Sequence, residues 1–308
     1  MPTLLTFPGQ GAQRPGMLHV LPDHAAVART LAEASDVLGH DVRRLDDAAH
    51  LASTVSVQLC LLVAGVASAR ALLEDDAPAR GVAGLSIGAY AAAVIAGALP
   101  FVDAVRLVAL RGKLMETAYP SGYGMTAILG LEAPPLEAIV ASVHRTDAPV
   151  YVANYNAETQ LVIAGADAAM ARVAELALAA GARTAQRVAI AVPSHCALLD
   201  DAAEALRSAF AKVAIRRPAL RYFSASAARE LRDPARIAED LARNMALPVH
   251  WNETMLLARA CDMALVVEMP PGNVLTRLCQ PLFPQAVALA EMRADSVRLL
   301  MTREAAHD

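Results

Sequence analysis

The chain has 308 residues, of which 56% are hydrophobic and 19% are charged. This composition excludes a mainly disordered protein, because disordered chains combine low hydrophobicity with high net charge. The formal net charge of -4 argues against a nucleic-acid-binding protein, since such proteins normally carry a basic excess. The length fits one large domain, or a main domain with a smaller one attached.

Four cysteines are scattered along the chain, and none stands in a cysteine or histidine cluster with zinc-site spacing. We therefore predict no metal site and a cytoplasmic protein with reduced thiols. Residues 1–7 lack the basic and apolar regions of a signal peptide. The uncharged stretch 81–102 is long enough to span a bilayer. Its small residues divide into a strand, a tight turn and a helix, so no membrane association is predicted.

The first third of the chain alternates between strand and helix patterns. Residues 8–13 form a loop rich in turn residues directly after the first strand. The predicted elements are a strand at 3–7, helices at 23–38 and 54–73, a strand at 81–85, and helices at 87–98 and 103–119, the last closed by Pro120.

The middle of the chain has a different order of elements. We predict a strand at 125–131, a helix at 134–144, strands at 150–154 and 161–164, a helix at 167–180 and a strand at 184–190. This β-α-β-β-α-β order is typical of a ferredoxin-like module. We interpret residues 123–190 as an inserted subdomain between two core segments, 1–122 and 191–308.

The last third returns to alternating elements. They are a helix at 196–214, a strand at 220–224, helices at 237–245 and 253–261, a strand at 263–269 and a helix at 274–282. Alternation of this kind indicates an α/β fold, with a largely parallel sheet covered by helices on both faces.

The motif that indicates chemistry is Gly84-Leu85-Ser86-Ile87-Gly88, a G-x-S-x-G pattern between a predicted strand and a predicted helix. A sharp strand-to-helix turn needs glycines where the backbone packs closely, and it exposes the serine hydroxyl at a helix N-terminus. Ser86 is therefore the candidate nucleophile. The alternative is a glycine-rich packing turn with an incidental serine.

A serine nucleophile needs a base, and the best candidate is His195, where the inserted module returns to the core. Such a crossover is a natural edge for a cleft between domains. The main competitor is His250, beside Trp251. The remaining histidines lie mostly on polar faces or near the termini; they are His19, His24, His40, His50, His144 and His307.

Several segments together resemble the malonyl-CoA:acyl carrier protein transacylase family. The segments are Phe7-Pro8-Gly9-Gln10-Gly11-Ala12-Gln13, residues 84–90, the helix residues 105–112, Asn154-Tyr155-Asn156 with 162–165, Pro193-Ser194-His195-Cys196, and Gly272-Asn273-Val274-Leu275. The likeness covers nearly the whole chain in the family's order. It implies the α/β core and ferredoxin-like lid that the patterns predict.

The resemblance also implies roles for individual residues. Ser86 would be the nucleophile and His195 the base, with the backbone N–H groups of Gln10 and Ile87 as the oxyanion hole. Arg111 would hold the free carboxylate of the malonyl group. Gln58 and Met115 would line the acyl pocket, and His250, through a backbone carbonyl at or near it, would orient His195. The reaction implied needs no cofactor, and the partners implied are malonyl-CoA and an acyl carrier protein.

Three positions depart from the family pattern, namely Leu85, Ala89 and His250. The family usually has histidine before the serine, and glutamate where Ala89 stands, so the surroundings of Ser86 are more apolar than usual. The segment 84–90 is similar to the epsilon subunit of malonate decarboxylase, a branch that loads the decarboxylase's own carrier protein. We favour this branch over the malonyl transacylase of fatty-acid synthesis.

Two other functional classes are weighed against this interpretation. An α/β-hydrolase acting as an esterase or thioesterase uses the same G-x-S-x-G turn, but its histidine comes late in the chain rather than mid-chain. A non-catalytic subunit that only docks a carrier protein would keep the fold. Retention of Ser86, His195 and Arg111 together argues against such a subunit.

Overall fold

The structure is a computed structural model that describes residues 2–74, 78–119 and 121–306. Two residues named above, Pro120 and His307, lie outside the described part of the chain. The ten strands of the described residues are β1 (Thr3–Phe7), β2 (Ala79–Gly84), β3 (Tyr123–Leu129), β4 (Val150–Ala157), β5 (Gln160–Ala166), β6 (Thr184–Arg187), β7 (Arg221–Ser224), β8 (Arg229–Leu231), β9 (Leu265–Glu268) and β10 (Val287–Ala288).

Eleven α-helices accompany these strands in the described residues, together with short 3-10 turns. They are α1 (Ala25–Leu38), α2 (Thr54–Leu73), α3 (Gly88–Ile95), α4 (Phe101–Ala118), α5 (Ala133–Val143), α6 (Asp167–Ala179), α7 (Asp200–Phe210), α8 (Pro234–Arg243), α9 (Trp251–Ala260), α10 (Val274–Cys279) and α11 (Ala294–Ala305).

The larger sheet has six strands in the order β10-β9-β1-β2-β7-β8. Its strands are parallel except β8, which runs antiparallel to β7. Both faces are covered by apolar side chains, as expected for a parallel sheet. Leu5 packs in the cluster that contains α2, whereas its neighbour Leu4 packs with Trp251 and Met255 on the opposite face. The predicted α/β class with a largely parallel sheet is therefore confirmed.

Helix α2 is long and apolar enough to cross a membrane by length and composition alone. In the folded protein, however, 89% of its most apolar window is buried. Its residues from Val57 to Leu72 contribute to the main hydrophobic core. The helix therefore serves as the central helix of the core.

A separate antiparallel sheet holds four strands in the order β4-β5-β3-β6, with α5 and α6 packed against it. Its core contains Ile128, Leu136, Ile163 and Val173. The division of the chain into a core and a ferredoxin-like insertion at 123–190 stays a prediction. Strand β4 of this sheet is hydrogen-bonded to the segment before α9: Val249 N–H donates to the Ala153 carbonyl at 2.9 Å, and Tyr155 N–H donates to the Val249 carbonyl at 2.7 Å.

Several predicted bounds were wrong. The helix predicted at 196–214 begins only at Asp200, because His195 has a left-handed backbone and Cys196 an extended one. The strand predicted at 184–190 ends at Arg187. Strands β8 and β10 and helix α11 were not predicted at all. The two strands have only three and two residues, too few for a periodic pattern.

Candidate active site

The turn that carries Ser86 contains two glycines whose neighbours leave no room for a side chain. A Cβ at Gly84 would overlap the backbone of Gly88 and Ala89, and a Cβ at Gly88 would overlap the carbonyl oxygen of Phe7. Ser86 has a left-handed backbone, with φ of 56°. Strand β2 ends two residues before Ser86 and α3 begins two residues after it. This is the strained strand–turn–helix that the sequence motif predicts.

His195 lies beside this turn, 109 residues further along the chain. Its Nε2 lies 2.8 Å from the Ser86 Oγ. Its Nδ1 lies 2.7 Å from the carbonyl oxygen of Asn244 and 3.1 Å from that of Leu247. Because a carbonyl can only accept, Nδ1 carries the proton and Nε2 is free to accept from the serine hydroxyl. The arrangement fixes the tautomer that a general base requires.

Burial and a neighbouring cation both act on the imidazole. His195 is 3% exposed. Desolvation is the larger effect and the charge of Arg111 the second, and together they lower the pKa of His195 from 6.5 to about 4. The hydrogen bonds to the two carbonyls act in the opposite direction. At neutral pH the ring is therefore uncharged and able to take a proton.

The two residues expected to form the oxyanion hole belong to the same cavity. Gln10, in the loop after β1, and Ile87, just before α3, both line the cavity that contains Ser86. Neither N–H has a hydrogen-bond partner within the part of the chain that the structure describes. The loop approaches the serine turn closely, since a Cβ on Gly9 would lie 2.7 Å from the Leu85 Cδ2 atom. Unpaired donors beside a nucleophile suit a developing oxyanion.

Arg111, on α4, is fully buried next to Ser86. Its Nη2 lies 3.2 Å from the Ser86 Oγ and 3.1 Å from the Asn244 Oδ1, and its Nη1 donates to the Gln58 Oε1 at 2.7 Å. All three acceptors are uncharged. Across the described ranges no carboxylate pairs with Arg111, and burial lowers the pKa of its guanidinium to about 10. The site therefore holds a cation without a counter-ion.

Gln58 and Met115 close the cavity behind Arg111. The Gln58 amide donates from Nε2 to the Met115 Sδ at 3.2 Å, and both side chains are buried. The cavity has a volume of about 240 Å³ and lies between the two sheets. Its other side comes from the antiparallel sheet and the segment that follows it, with Met125, Asn154 and Ile190 among the lining residues. The structure thus brings Ser86, His195, Arg111, Gln58, Met115, Gln10 and Ile87 together around one cavity.

His250 does not orient His195. Its ring stacks on Tyr155 at 5.1 Å between ring centres, and its Nδ1 lies 3.7 Å from the Glu253 Oε2. Its carbonyl accepts from Thr254 rather than from His195. The carbonyl of His250 itself therefore does not orient the base, although carbonyls near it do. The two carbonyls that do so belong to residues three and six positions earlier in the chain.

Asn244 is the site residue that the sequence reasoning missed. Its backbone carbonyl accepts from His195, its Oδ1 from Arg111, and its Nδ2 donates to the Ser86 carbonyl at 3.3 Å. It follows α8 directly, and only the tertiary fold brings it to the serine turn. In the sequence it stands in no motif.

The other described histidines lie away from the cavity. His19 pairs with Asp46, His24 caps α1, His50 pairs with Asp47, His40 contacts the Asp41 carbonyl, and His144 contacts Val150. Within residues 2–74, 78–119 and 121–306, no group of three histidine, cysteine or acidic side chains is arranged to hold a metal ion.

An α/β core that sets a serine on a strand–turn–helix beside a neutral, oriented histidine defines an enzyme of the serine acyl-transfer class. A family model described as the acyl transferase domain matches residues 5–303, and the chain belongs to this family. It is therefore an acyltransferase.

Proteins named malonyl CoA-acyl carrier protein transacylase are similar to this chain over most of its length. The malonyl CoA-acyl carrier protein transacylase of Haemophilus influenzae is 38% identical over 283 residues, which cover 89% of this chain and 90% of the relative. The protein of that name from Bacillus subtilis (strain 168) is 32% identical, with 95% and 94% covered.

Solved structures share the fold over almost the whole chain. FabD from Acinetobacter baumannii has a TM-score of 0.92 at 35% identity, with 98% of each chain covered. A malonyl-transacylase solved in complex with a type II PKS acyl-carrier protein has a TM-score of 0.90 at 34% identity, with 96% of this chain and 97% of that one covered. The mostly parallel sheet and the separate antiparallel sheet are thus the architecture of this family.

Proposed function

We propose that this acyltransferase moves a malonyl group from malonyl-CoA to the thiol of an acyl carrier protein, through an ester on Ser86. The observation that carries the proposal is Arg111, a fully buried guanidinium 3.2 Å from the Ser86 Oγ with no acidic partner in the described chain. A buried charge without a counter-ion is costly to maintain. A substrate that brings a carboxylate would satisfy it, and malonyl is the acyl group that the relatives' names also indicate.

The first half-reaction begins with proton transfer. His195 Nε2 takes the proton of the Ser86 hydroxyl as Oγ attacks the thioester carbonyl carbon. The N–H groups of Gln10 and Ile87 stabilise the resulting oxyanion. The carbon–sulfur bond then breaks, the imidazolium returns its proton to the departing thiolate, and coenzyme A leaves as a thiol. Ser86 is left as a malonyl ester.

The second half-reaction uses the same groups in reverse. A carrier-protein thiol gives its proton to His195 and attacks the ester carbonyl carbon, and the Ser86 oxygen recovers the proton as the ester bond breaks. The carbonyls of Asn244 and Leu247 hold the imidazole in place throughout, in the position that an acidic residue occupies in other triads. Because one product leaves before the second substrate reacts, the kinetics should be ping-pong.

Two carrier proteins are candidates for the acceptor of the malonyl group. Relatives named malonyl CoA-acyl carrier protein transacylase favour a general acyl carrier protein as acceptor. The malonate decarboxylase carrier remains the alternative, supported by the similarity of residues 84–90 to the epsilon subunit. Leu85 packs into an apolar cluster that includes Leu278, so the wall beside Ser86 is apolar where the family usually has histidine.

The test is intact-mass measurement after brief exposure to malonyl-CoA, followed by addition of one carrier. A malonyl adduct that Ser86→Ala abolishes supports the proposal. Transfer to the acyl carrier protein of fatty-acid synthesis would identify that protein as the acceptor. Transfer only to the malonate decarboxylase carrier would identify the decarboxylase carrier instead. Release of free malonate that neither carrier thiol accelerates would instead identify a hydrolase and overturn the proposal.

A further inference from the structure

Arg111 is held by partners that fix its position and leave its charge uncompensated. Gln58 lies on α2 and Asn244 follows α8, so two separate elements each offer one amide oxygen to the guanidinium. A glutamate or aspartate of nearly the same shape would pair with Arg111 far more strongly. The two amides therefore supply geometry without charge.

The uncompensated charge lies close to the catalytic base. Arg111 Nη2 donates to the Ser86 Oγ, and the same oxygen lies 2.8 Å from His195 Nε2. Only one atom thus separates the guanidinium from the imidazole, within a site where both side chains are buried. Two like charges at that separation repel strongly in a medium of low dielectric constant.

This repulsion matters when Ser86 attacks, because His195 becomes a cation at that moment. The titratable groups around the pair come from several elements: Tyr90 on α3 faces Arg111, and Asp240 on α8 faces Tyr90. Asp240 accepts hydrogen bonds from Tyr222, Ser224 and Ser226 rather than from Arg111. In the described chain, therefore, no acid offsets the second cation.

We propose that Gln58 and Asn244 are specificity-determining residues that withhold a counter-charge from Arg111, so that the substrate's own carboxylate must supply it before Ser86 can be acylated rapidly. An acyl thioester with a carboxylate neutralises Arg111 and lets the imidazolium form. A thioester without one, such as acetyl-CoA, binds beside two like charges that develop together. Discrimination is then exerted in the acylation rate as well as in binding. This inference rests on the proposed function.

The test supplies the missing charge from the protein. Gln58→Glu and Asn244→Asp each place a carboxylate where an amide oxygen now contacts Arg111, from two different elements. Acetyl-CoA should then acylate Ser86 faster than in the wild type, by at most ~10-fold for each pKa unit by which the base is strengthened. Malonyl-CoA should react more slowly, because its carboxylate loses its partner. Gln58→Met, neutral and similar in length, should slow both substrates without reversing their order.

A second readout separates charge from structure. The pKa of His195, followed by NMR of the labelled imidazole, should rise in Gln58→Glu and in Asn244→Asp and stay near the wild-type value in Gln58→Met. Thermal melting identifies any variant that fails to fold. If one acidic variant fails to fold, the inference is tested on the other acidic variant. Equal factors on both substrates with an unchanged His195 pKa would overturn the inference while leaving the proposed function intact. Failure of the wild type to form a malonyl adduct would overturn the proposed function itself.

Discussion

Ser86 and His195 face each other across 2.8 Å, and both have left-handed backbones, with φ of 56° and 65°. For residues other than glycine this conformation costs about 1–3 kcal/mol each and persists only where the surroundings impose it. The glycines of the turn impose it on Ser86. The bond from His195 N–H to the Met245 carbonyl, at 2.7 Å, helps impose it on His195. Both side chains are thus aimed by the backbone into one cavity.

Ser86→Ala should abolish the malonyl adduct and all transfer, because no other hydroxyl lies within hydrogen-bond distance of His195 Nε2 in the described chain. The measurement is intact mass with malonyl-CoA, together with circular dichroism to show that the fold is kept. Ser194→Ala is the matched control, since Ser194 also lines the cavity but its hydroxyl hydrogen-bonds, among the described residues, only to the Val192 carbonyl. An adduct retained in Ser86→Ala would contradict the nucleophile assignment.

His195→Ala should slow acylation and deacylation together, because one base serves both half-reactions. Loss of a general base typically costs ~10²–10⁴-fold in rate. His250→Ala should leave both rates within a few-fold of the wild type, given its position against Tyr155. Rapid-quench measurement of the two half-reactions tests this pair. A larger effect at His250 would mean that the base is misassigned.

The loss of activity at low pH should occur at an unusually acidic pH. His195 must be uncharged to accept a proton, and its pKa is lowered from 6.5 to about 4 by burial and by Arg111. Activity as kcat/KM for malonyl-CoA should therefore persist as pH falls through 6.5 and decline only towards pH 4. Stopped-flow kinetics in buffers of constant ionic strength would measure it. A midpoint near 6.5 would mean that the ring is solvated in solution.

Arg111→Ala should weaken malonyl transfer strongly, whereas acetyl transfer should rise because a like charge beside His195 is removed. The malonyl carboxylate loses charge-assisted hydrogen bonds of about 1.5–3 kcal/mol each, whereas acetyl loses none. Arg111→Lys should recover only part of the loss, because lysine restores the charge without the planar fork. The comparison is kcat/KM for both thioesters in the three proteins. Equal losses on both would assign Arg111 to the fold instead of the substrate.

Gly88→Ala should destabilise the protein more than Gly97→Ala. Gly97 has φ of +75° but open space around it, so alanine there costs only backbone strain, about 1–2 kcal/mol. At Gly88 the new methyl group would overlap the Phe7 carbonyl oxygen, and β1 or the serine turn would have to move. Denaturant unfolding and malonyl-adduct formation measure the two consequences. Similar unfolding free energies for both variants would contradict this account of the turn.

The sequence predicts best the elements whose pattern is local. Strand β1 and helix α2 were predicted with the bounds that the structure shows, since both are mostly apolar segments followed by turn or polar residues. A valine and an alanine alone cannot reveal a two-residue strand such as β10, which pairs with β9. Helix α11 has a weaker apolar face, with Val297 and Met301 buried, and it was overlooked.

The residues of the candidate site also differ in how far the local sequence identifies them. Ser86 stands in a motif with a local mechanical reason, and so it was identifiable from the residues themselves. Arg111, Gln10 and Ile87 were expected only through resemblance to a family. Leu247 contacts His195 through its backbone carbonyl, which every residue has, and Asn244 does so in addition to its side-chain contacts. Their roles depend on where the chain runs after α8, and no side-chain pattern records that path.

The hydrogen bonds that join Val249 to β4 have a mechanical consequence for the reaction. Val249 lies two residues after Leu247, whose carbonyl accepts from His195, while Ala153 and Tyr155 flank Asn154 on the cavity wall. If the antiparallel sheet moved outward to admit a bulky thioester, these two hydrogen bonds would have to break. Otherwise the movement would pull on the segment that aligns the imidazole. The position of the cavity wall and the alignment of His195 are therefore coupled, so a displacement of one would displace the other.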